Sequence, residues 1–128
     1  MGAIINRNAI AKVGFTNKDY FIHYDDSEHS FRLRSYGKIL CFPDIIMDHD
    51  AEEKKKEAVW RMYFHFRNLL NMAYIHFDKP TFRKCWWYVF LAMNKRLLKL
   101  QFKAAKAYWD GMRDYNKICQ EMNDKYRP

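Results

Sequence analysis

From Val59 to Phe77 the chain is dense in apolar residues and free of Gly and Pro, a pattern that predicts a strongly buried helix. Asp78-Lys79-Pro80 ends it, with proline well placed to open the next helix. That next helix is expected to run from about Thr81 to about Cys119, bent near Gly111. Phe82, Trp86, Val89, Met93, Leu97, Leu100, Ala104 and Tyr108 recur along it at three- and four-residue steps and form one buried stripe. Lys84, Lys95, Arg96, Lys99, Lys103 and Lys106 fall on the other side, bordered by a second apolar strip of Trp87, Leu91, Leu98 and Phe102. Cations beside exposed rings resemble an interfacial surface, with Lys95, Arg96, Lys99 and Lys103 facing anionic lipid. The plainer alternative is a helix that packs on another part of the protein.

The chain before Val59 reads differently. Gly2-Ala-Ile-Ile-Asn6 suggests a short buried strand whose pairing partners are expected upstream. Asn8 to Val13 suits a short helix ended by Gly14. Lys18 to Tyr24, rich in aromatic and β-branched residues, reads as extended, and Asp25-Asp26-Ser27 then supplies an N-cap for a helix that stops at Gly37. Lys38 to Met47 is a second strand candidate, which Pro43 limits to an edge or breaks, and Asp48 to Lys56 is a polar connection. The expected fold class is therefore α+β and helix-dominated.

At 128 residues there is room for one core, and a hydrophobic share of 49% excludes a disordered chain. The net charge of +8 suits nucleic acid, anionic lipid or a phosphorylated ligand without choosing among them. Three widely spaced cysteines, Cys41, Cys85 and Cys119, point to buried thiols in a reducing compartment. The longest apolar run, Cys85 to Met93, is far short of the ~20 residues of a spanning helix.

Candidate chemistry concentrates in Tyr24-Asp-Asp-Ser-Glu-His29, followed downstream by Asp48-His-Asp50. Three carboxylates within four residues either are solvated, bind a cation, or push one member toward the working range of a general base. Capping is the commoner use of Asp-Asp-Ser at a helix start. His49, flanked by two acids, fits a metal ligand or an ordinary loop histidine. Tyr63, Arg67 and Asn68 share a helix at i, i+4 and i+5, where Arg67 contacts phosphate, locks the helix against the acidic segment, or forms a buried structural pair with Asn68.

The stretch Phe21-Ile-His-Tyr-Asp-Asp-Ser-Glu-His-Ser-Phe-Arg-Leu-Arg34 resembles the aromatic-Asp-Asp-x-Glu-aromatic-Ser-Leu-Arg signature of family 2 glycosyltransferases of GT-A fold, in the galactofuranosyl- and rhamnosyltransferase branch. Gly2-Ala-Ile-Ile-Asn-Arg7 with Ile10-Ala-Lys-Val-Gly14, Pro43-Asp-Ile-Ile-Met-Asp-His49 and Trp60-Arg-Met-Tyr-Phe-His-Phe-Arg-Asn68 resemble further segments in that branch's order. Ala107-Tyr-Trp-Asp-Gly-Met-Arg-Asp114 matches a looser pattern near the end of such enzymes. The resemblance implies residues 1–50 as the C-terminal part of a GT-A catalytic core, with a short sheet remnant, and residues 51–128 as a C-terminal helical region. It implies Asp26 as general base on the acceptor hydroxyl, with Asp25 and Glu28 orienting the acceptor or tuning Asp26. Tyr24, Tyr63, Arg67 and Asn68 become acceptor or phosphate contacts, and His49 becomes part of a Mn²⁺ or Mg²⁺ site.

The family's amino-terminal nucleotide-binding half, with its Asp-x-Asp motif, is not in this sequence, and no Gly-rich phosphate loop replaces it. The chain by itself is accordingly expected to bind neither donor nor metal tightly and to be inactive alone. Its expected partners are a nucleotide-sugar-binding half, in the same or a separate chain, and a polysaccharide or lipid-linked acceptor. The expected location is cytoplasmic, peripheral at the inner face of a bacterial membrane. A basic helical module that binds nucleic acid is the main alternative, opposed by the acidic cluster and by the lack of a helix-turn-helix or RNA-binding signature. A structural domain that pairs with a donor-binding chain is a third.

Overall fold

Asn6 begins the ordered architecture by accepting a hydrogen bond from the Asn8 amide through Oδ1 at 2.8 Å, which starts α1 (Arg7–Val13). Asn17 does the same for the Asp19 amide at 3.0 Å and starts a single 3-10 turn (Lys18–Tyr20). Helix α2 (Asp25–Tyr36) follows, then α3 (Val59–His76), α4 (Lys79–Leu98) and α5 (Phe102–Asp114). The structure, a computed structural model, describes residues 3–45 and 58–118. Among those residues there is no β-strand, so the α+β class and the sheet remnant are replaced by an all-helical fold.

Each expected strand fails for an identifiable reason. Ile4 is fully exposed and Ile5 only half-buried, and Asn6 commits the chain to a helix. In Lys18 to Tyr24 the β-propensity of the aromatic residues loses to the Asn17 cap and to positive φ at Phe21, His23 and Tyr24. Ile39, Leu40, Phe42 and Ile45 are all exposed on a segment with no neighbouring strand to share its hydrogen bonds. The remaining residues of that candidate, 46 and 47, lie outside the described residues, as does the domain division expected at residue 50.

The single long helix expected after Thr81 is two helices. The Leu100 amide donates to the Leu97 carbonyl at 2.9 Å and the Gln101 amide to the Arg96 carbonyl at 3.0 Å. With Leu100 at φ +55°, this is a Schellman C-cap that uses leucine where glycine is usual. No glycine marks the break in sequence, which is why periodicity ran straight through it. At the other end of α4 the Asp78 carboxylate accepts from the Thr81 amide at 3.2 Å, and hydrogen bonding from Thr81, its side chain first and this amide after it, holds the carboxyl below its usual pKa.

Helix α5 packs on both α3 and α4. Its inner face is built from Ala104, Ala105, Ala107 and Gly111, small enough for close approach to α3. A Cβ on Gly111 would lie 3.1 Å from both the Arg67 amide nitrogen and the Tyr63 carbonyl oxygen. Phe66 and Tyr108 stack with centroids 3.9 Å apart, and Val89 and Met93 close the core from α4. Leu97 and Leu100, assigned to the buried stripe, are exposed because the chain reverses there.

Candidate functional site

Helix α3 buries a polar ladder of Arg67, Asn68 and Asn71. Buried polar groups persist only when hydrogen-bonded, since each unsatisfied one costs about 1–3 kcal/mol. Their partners lie almost entirely in the segment before α2. Arg67 donates from Nη2 to the Asp19 carbonyl at 2.9 Å and from Nε to Asn68 Oδ1 at 2.9 Å. Its guanidinium also lies 5.5 Å from the Tyr63 ring centroid and 5.0 Å from that of Phe64. Asn68 Nδ2 is shared among the carbonyls of Tyr20, Ile22 and His23 at 2.9, 2.7 and 2.9 Å. Asn71 accepts from the Tyr20 hydroxyl at 2.6 Å and donates to the Tyr115 carbonyl at 2.8 Å, joining the same segment to the end of α5.

The segment so held is strained. Phe21, His23 and Tyr24 have φ of 61°, 63° and 63°, a region costing on the order of 1–3 kcal/mol for each non-glycine residue. Fixed carbonyls on Asn68 maintain that path, which turns the chain and opens α2 at Asp25. Tyr24 is the N-cap, in left-handed conformation and without a side-chain cap bond. Asp25 and Asp26 therefore stand in the first turn, not at the cap, where the helix dipole favours carboxylates.

The three carboxylates of this turn have different surroundings. Asp26 is exposed; its Oδ1 accepts from the Ser27 amide at 2.7 Å and from the Ser27 hydroxyl at 3.3 Å. Asp25 is half-buried. Glu28 is buried, and its carboxylate accepts from Arg32 Nε at 2.9 Å and lies 3.2 Å from His76 Nε2 at the end of α3. Phe31 stacks on the His76 ring with centroids 5.4 Å apart. Arg32 also donates to the carbonyls of Val13 and Phe15, and His29 Nε2 lies 3.0 Å from the Gly14 carbonyl oxygen, so α2 is tied to the end of α1 as well. Of these three, Asp26 is the most exposed.

Burial governs the tyrosines. Tyr63 is fully buried, its hydroxyl pushed up to about 12 by loss of solvent, an effect the Arg67 guanidinium partly opposes and Asp114 reinforces. Burial likewise raises Tyr20 and Tyr24, the latter also through neighbouring Tyr88 and Cys85. The Tyr24 hydroxyl lies 3.4 Å from His65 Nε2. Tyr63, Arg67 and Asn68, expected as acceptor or phosphate contacts, present no surface to a ligand here, while Tyr24 is half-buried beside the acidic turn.

His49 with its flanking Asp48 and Asp50 lies outside the described residues. Among the described residues no three of His, Cys, Asp or Glu are grouped to hold a metal ion, and the one acid best placed beside Asp25 and Asp26 is committed to Arg32 and His76. The described donor set does not fit a divalent cation. Cys85 is half-buried but Cys41 is exposed, which corrects the expectation of uniformly buried thiols. No helix among the described residues is long and apolar enough to cross a membrane.

Lys95, Lys99 and Lys103 are exposed and Arg96 is half-buried. A cavity of about 230 Å³ between α4 and α5 is lined by Lys95, Arg96, Lys99, Tyr108 and Ala92; it does not touch Asp25 or Asp26. Sequence periodicity missed this cavity because it exists only where α4 stops. Asn71 and His76 were missed too, although Asn71 sits four residues after Arg67 and three after Asn68, on the same helical face.

No family model matches the chain, and no solved structure does. Over 63 residues, 48% of the chain, it is 36% identical to the galactofuranosyltransferase GlfT2 of Mycolicibacterium smegmatis. Over 62 residues, 47% of the chain, it is 36% identical to the protein of the same name from Mycobacterium tuberculosis. The chain contains a glycosyltransferase-related region. The matched stretch spans about a tenth of the length of either relative.

Proposed function

We propose that this chain is the acceptor-side portion of an inverting glycosyltransferase that moves a sugar from a nucleotide-sugar to a polysaccharide or glycolipid acceptor. One observation carries the reading: Asp26 is the exposed carboxylate at the start of a helix whose approach is held in a strained path by Asn68. The similarity to two galactofuranosyltransferases supports it. In the proposed step the acceptor oxygen attacks the anomeric carbon, the bond to the nucleoside diphosphate breaks, and the hydroxyl proton passes to the Asp26 carboxylate. General-base help of this kind contributes about 10²–10⁴ in rate.

Asp25 orients the acceptor beside Asp26, and Tyr24 borders it. Glu28 acts at one remove, clasping α2 to α3 through Arg32 and His76. The nucleotide-sugar and any divalent cation are held by a donor-binding portion, in the same or another chain, and His49 is the residue of this sequence assigned to that cation. The Lys95, Arg96, Lys99 and Lys103 surface faces the anionic inner leaflet on which a lipid-linked acceptor is carried.

The test is to purify the tagged chain from its native cells, with any chain that accompanies it, and to assay transfer from labelled nucleotide-sugars. Transfer that falls by about 10²-fold or more with Asp26→Asn is expected. Transfer that persists undiminished in that variant rules out Asp26 as the base. Calorimetry of the isolated chain with a nucleotide-sugar is expected to give no tight, metal-dependent binding.

A further inference from the structure

From Lys79 to Trp109 the sequence carries eight Lys or Arg and not one Asp or Glu. Interspersed acids weaken the field of surface cations, and here the acid that answers this stretch, Asp110, is paired with Lys106 and leaves Lys95, Arg96 and Lys99 as a positive patch. The fold folds that stretch back on itself. The left-handed turn at Leu100 brings α5 against the last turns of α4 and borders the half-open cavity of about 230 Å³, lined by Lys95, Arg96, Lys99 and Tyr108.

Arg96 is the built part of this cavity. Its Nη1 donates to Gln101 Oε1 at 2.9 Å and its Nε lies 3.5 Å from the Tyr108 hydroxyl. These contacts fix the plane of the guanidinium and use neither hydrogen of Nη2. A planar guanidinium with donors to spare, flanked by two ammonium groups and a hydroxyl, matches the tetrahedral oxygens of a phosphate. The C-terminus of α4 opposes an anion with about half an elementary charge, against three cations lining the cavity.

We infer that the α4–α5 cavity binds a phosphate group, with Arg96 as its oriented donor and Lys95 and Lys99 as its charge. The site stands apart from Asp25 and Asp26 and does not rest on the sugar-transfer reading. The same chemistry is offered by a lipid headgroup and by a soluble phosphate; the exposed Leu98, Leu100 and Phe102 at the turn between α4 and α5 would contact acyl chains in the first case and nothing in the second.

The experiment follows backbone amide and arginine Nε–H signals of the isotopically labelled full chain during titration with inorganic phosphate, against sodium chloride at equal ionic strength. Saturable shifts at Lys95 to Gln101 and at the Arg96 side chain are expected, weakened tenfold or more in a Lys95→Gln, Lys99→Gln double variant. Both lysines are exposed, so that variant keeps the fold, which its unshifted remaining spectrum verifies. Shifts that chloride reproduces, or that survive the double substitution unchanged, overturn the site. In a second arm, vesicles of phosphatidylglycerol are compared with phosphatidylcholine by co-sedimentation. Selective binding that Leu98→Ser and Phe102→Ser abolish, while inorganic phosphate binding survives, assigns the phosphate to a lipid. Phosphate binding without vesicle binding supports the site with a soluble ligand.

Discussion

The amide nitrogen of the Asn68 side chain lies 2.9 Å from the carbonyl oxygen of Tyr20, a residue 48 positions earlier in the chain. Through this and its bonds to the next two carbonyls it reaches, Asn68 sets the direction in which the acidic turn leaves the core. Replacing Asn68 by Ala removes those bonds, leaves the Tyr20 carbonyl with the Ile22 amide, and takes this donor from the carbonyls of Ile22 and His23. The loss expected is about 2–4 kcal/mol of unfolding free energy in urea titrations. Asn68→Asp, which sets a carboxylate against three carbonyl oxygens, is expected to be worse than Asn68→Ala.

Gly111 is required for packing. Alanine at an ordinary helical position gains about 1 kcal/mol over glycine, but here the added methyl meets backbone atoms that cannot rotate away. Gly111→Ala is expected to lower stability by about 1–3 kcal/mol and to separate α5 from α3, read by denaturation and by the near-ultraviolet signal of the stacked Phe66 and Tyr108.

Buried Tyr63 and Tyr20 make the fold sensitive to alkali. Their folded pKa values lie above the unfolded value of about 10, so the unfolded chain gives up protons first as pH rises. Their stabilising contribution is complete below pH 10 and falls between 10 and the folded pKa, about 12 for Tyr63, at a slope of about 1.4 kcal/mol per pH unit for each group. Tyr63→Phe removes one of these contributions. Denaturation midpoints followed from pH 9 to 11.5 are expected to fall less steeply in that variant.

The His76–Glu28–Arg32 cluster joins α2 to α3 while Asp26 joins nothing but its own turn. Glu28→Gln leaves Arg32 and His76 facing a neutral amide, and a stability loss of about 1–3 kcal/mol is expected. Asp26→Asn is expected to change stability by less than about 0.5 kcal/mol, as for other exposed positions. Equal losses in the two variants, measured by thermal melting, would mean that Asp26 is structural.

Helices α3 and α4 were legible because their apolar density and the Asp78-Lys79-Pro80 start signal act locally. The extended reading of Lys18 to Tyr24 was wrong because its conformation is decided by Asn68, far away in sequence, against the preference of its own aromatic residues. The break at Leu100 was illegible for the opposite reason: a Schellman turn was made without the glycine that normally announces it. Within the acidic turn, sequence placed Asp25, Asp26 and Glu28 together but could not divide them, since only the fold shows Arg32 and His76 taking Glu28 and leaving Asp26 in solvent.

The most direct measurement is a titration of the labelled chain with a panel of short oligosaccharides, galactofuranosyl ones included, read at the amides of Tyr24 to Glu28. Binding shifts centred on Asp25 and Asp26, lost in a folded Asp26→Asn variant, are the result expected of an acceptor-side turn. Saccharide binding that leaves those amides untouched, or that is indifferent to the Asp26 substitution, contradicts it.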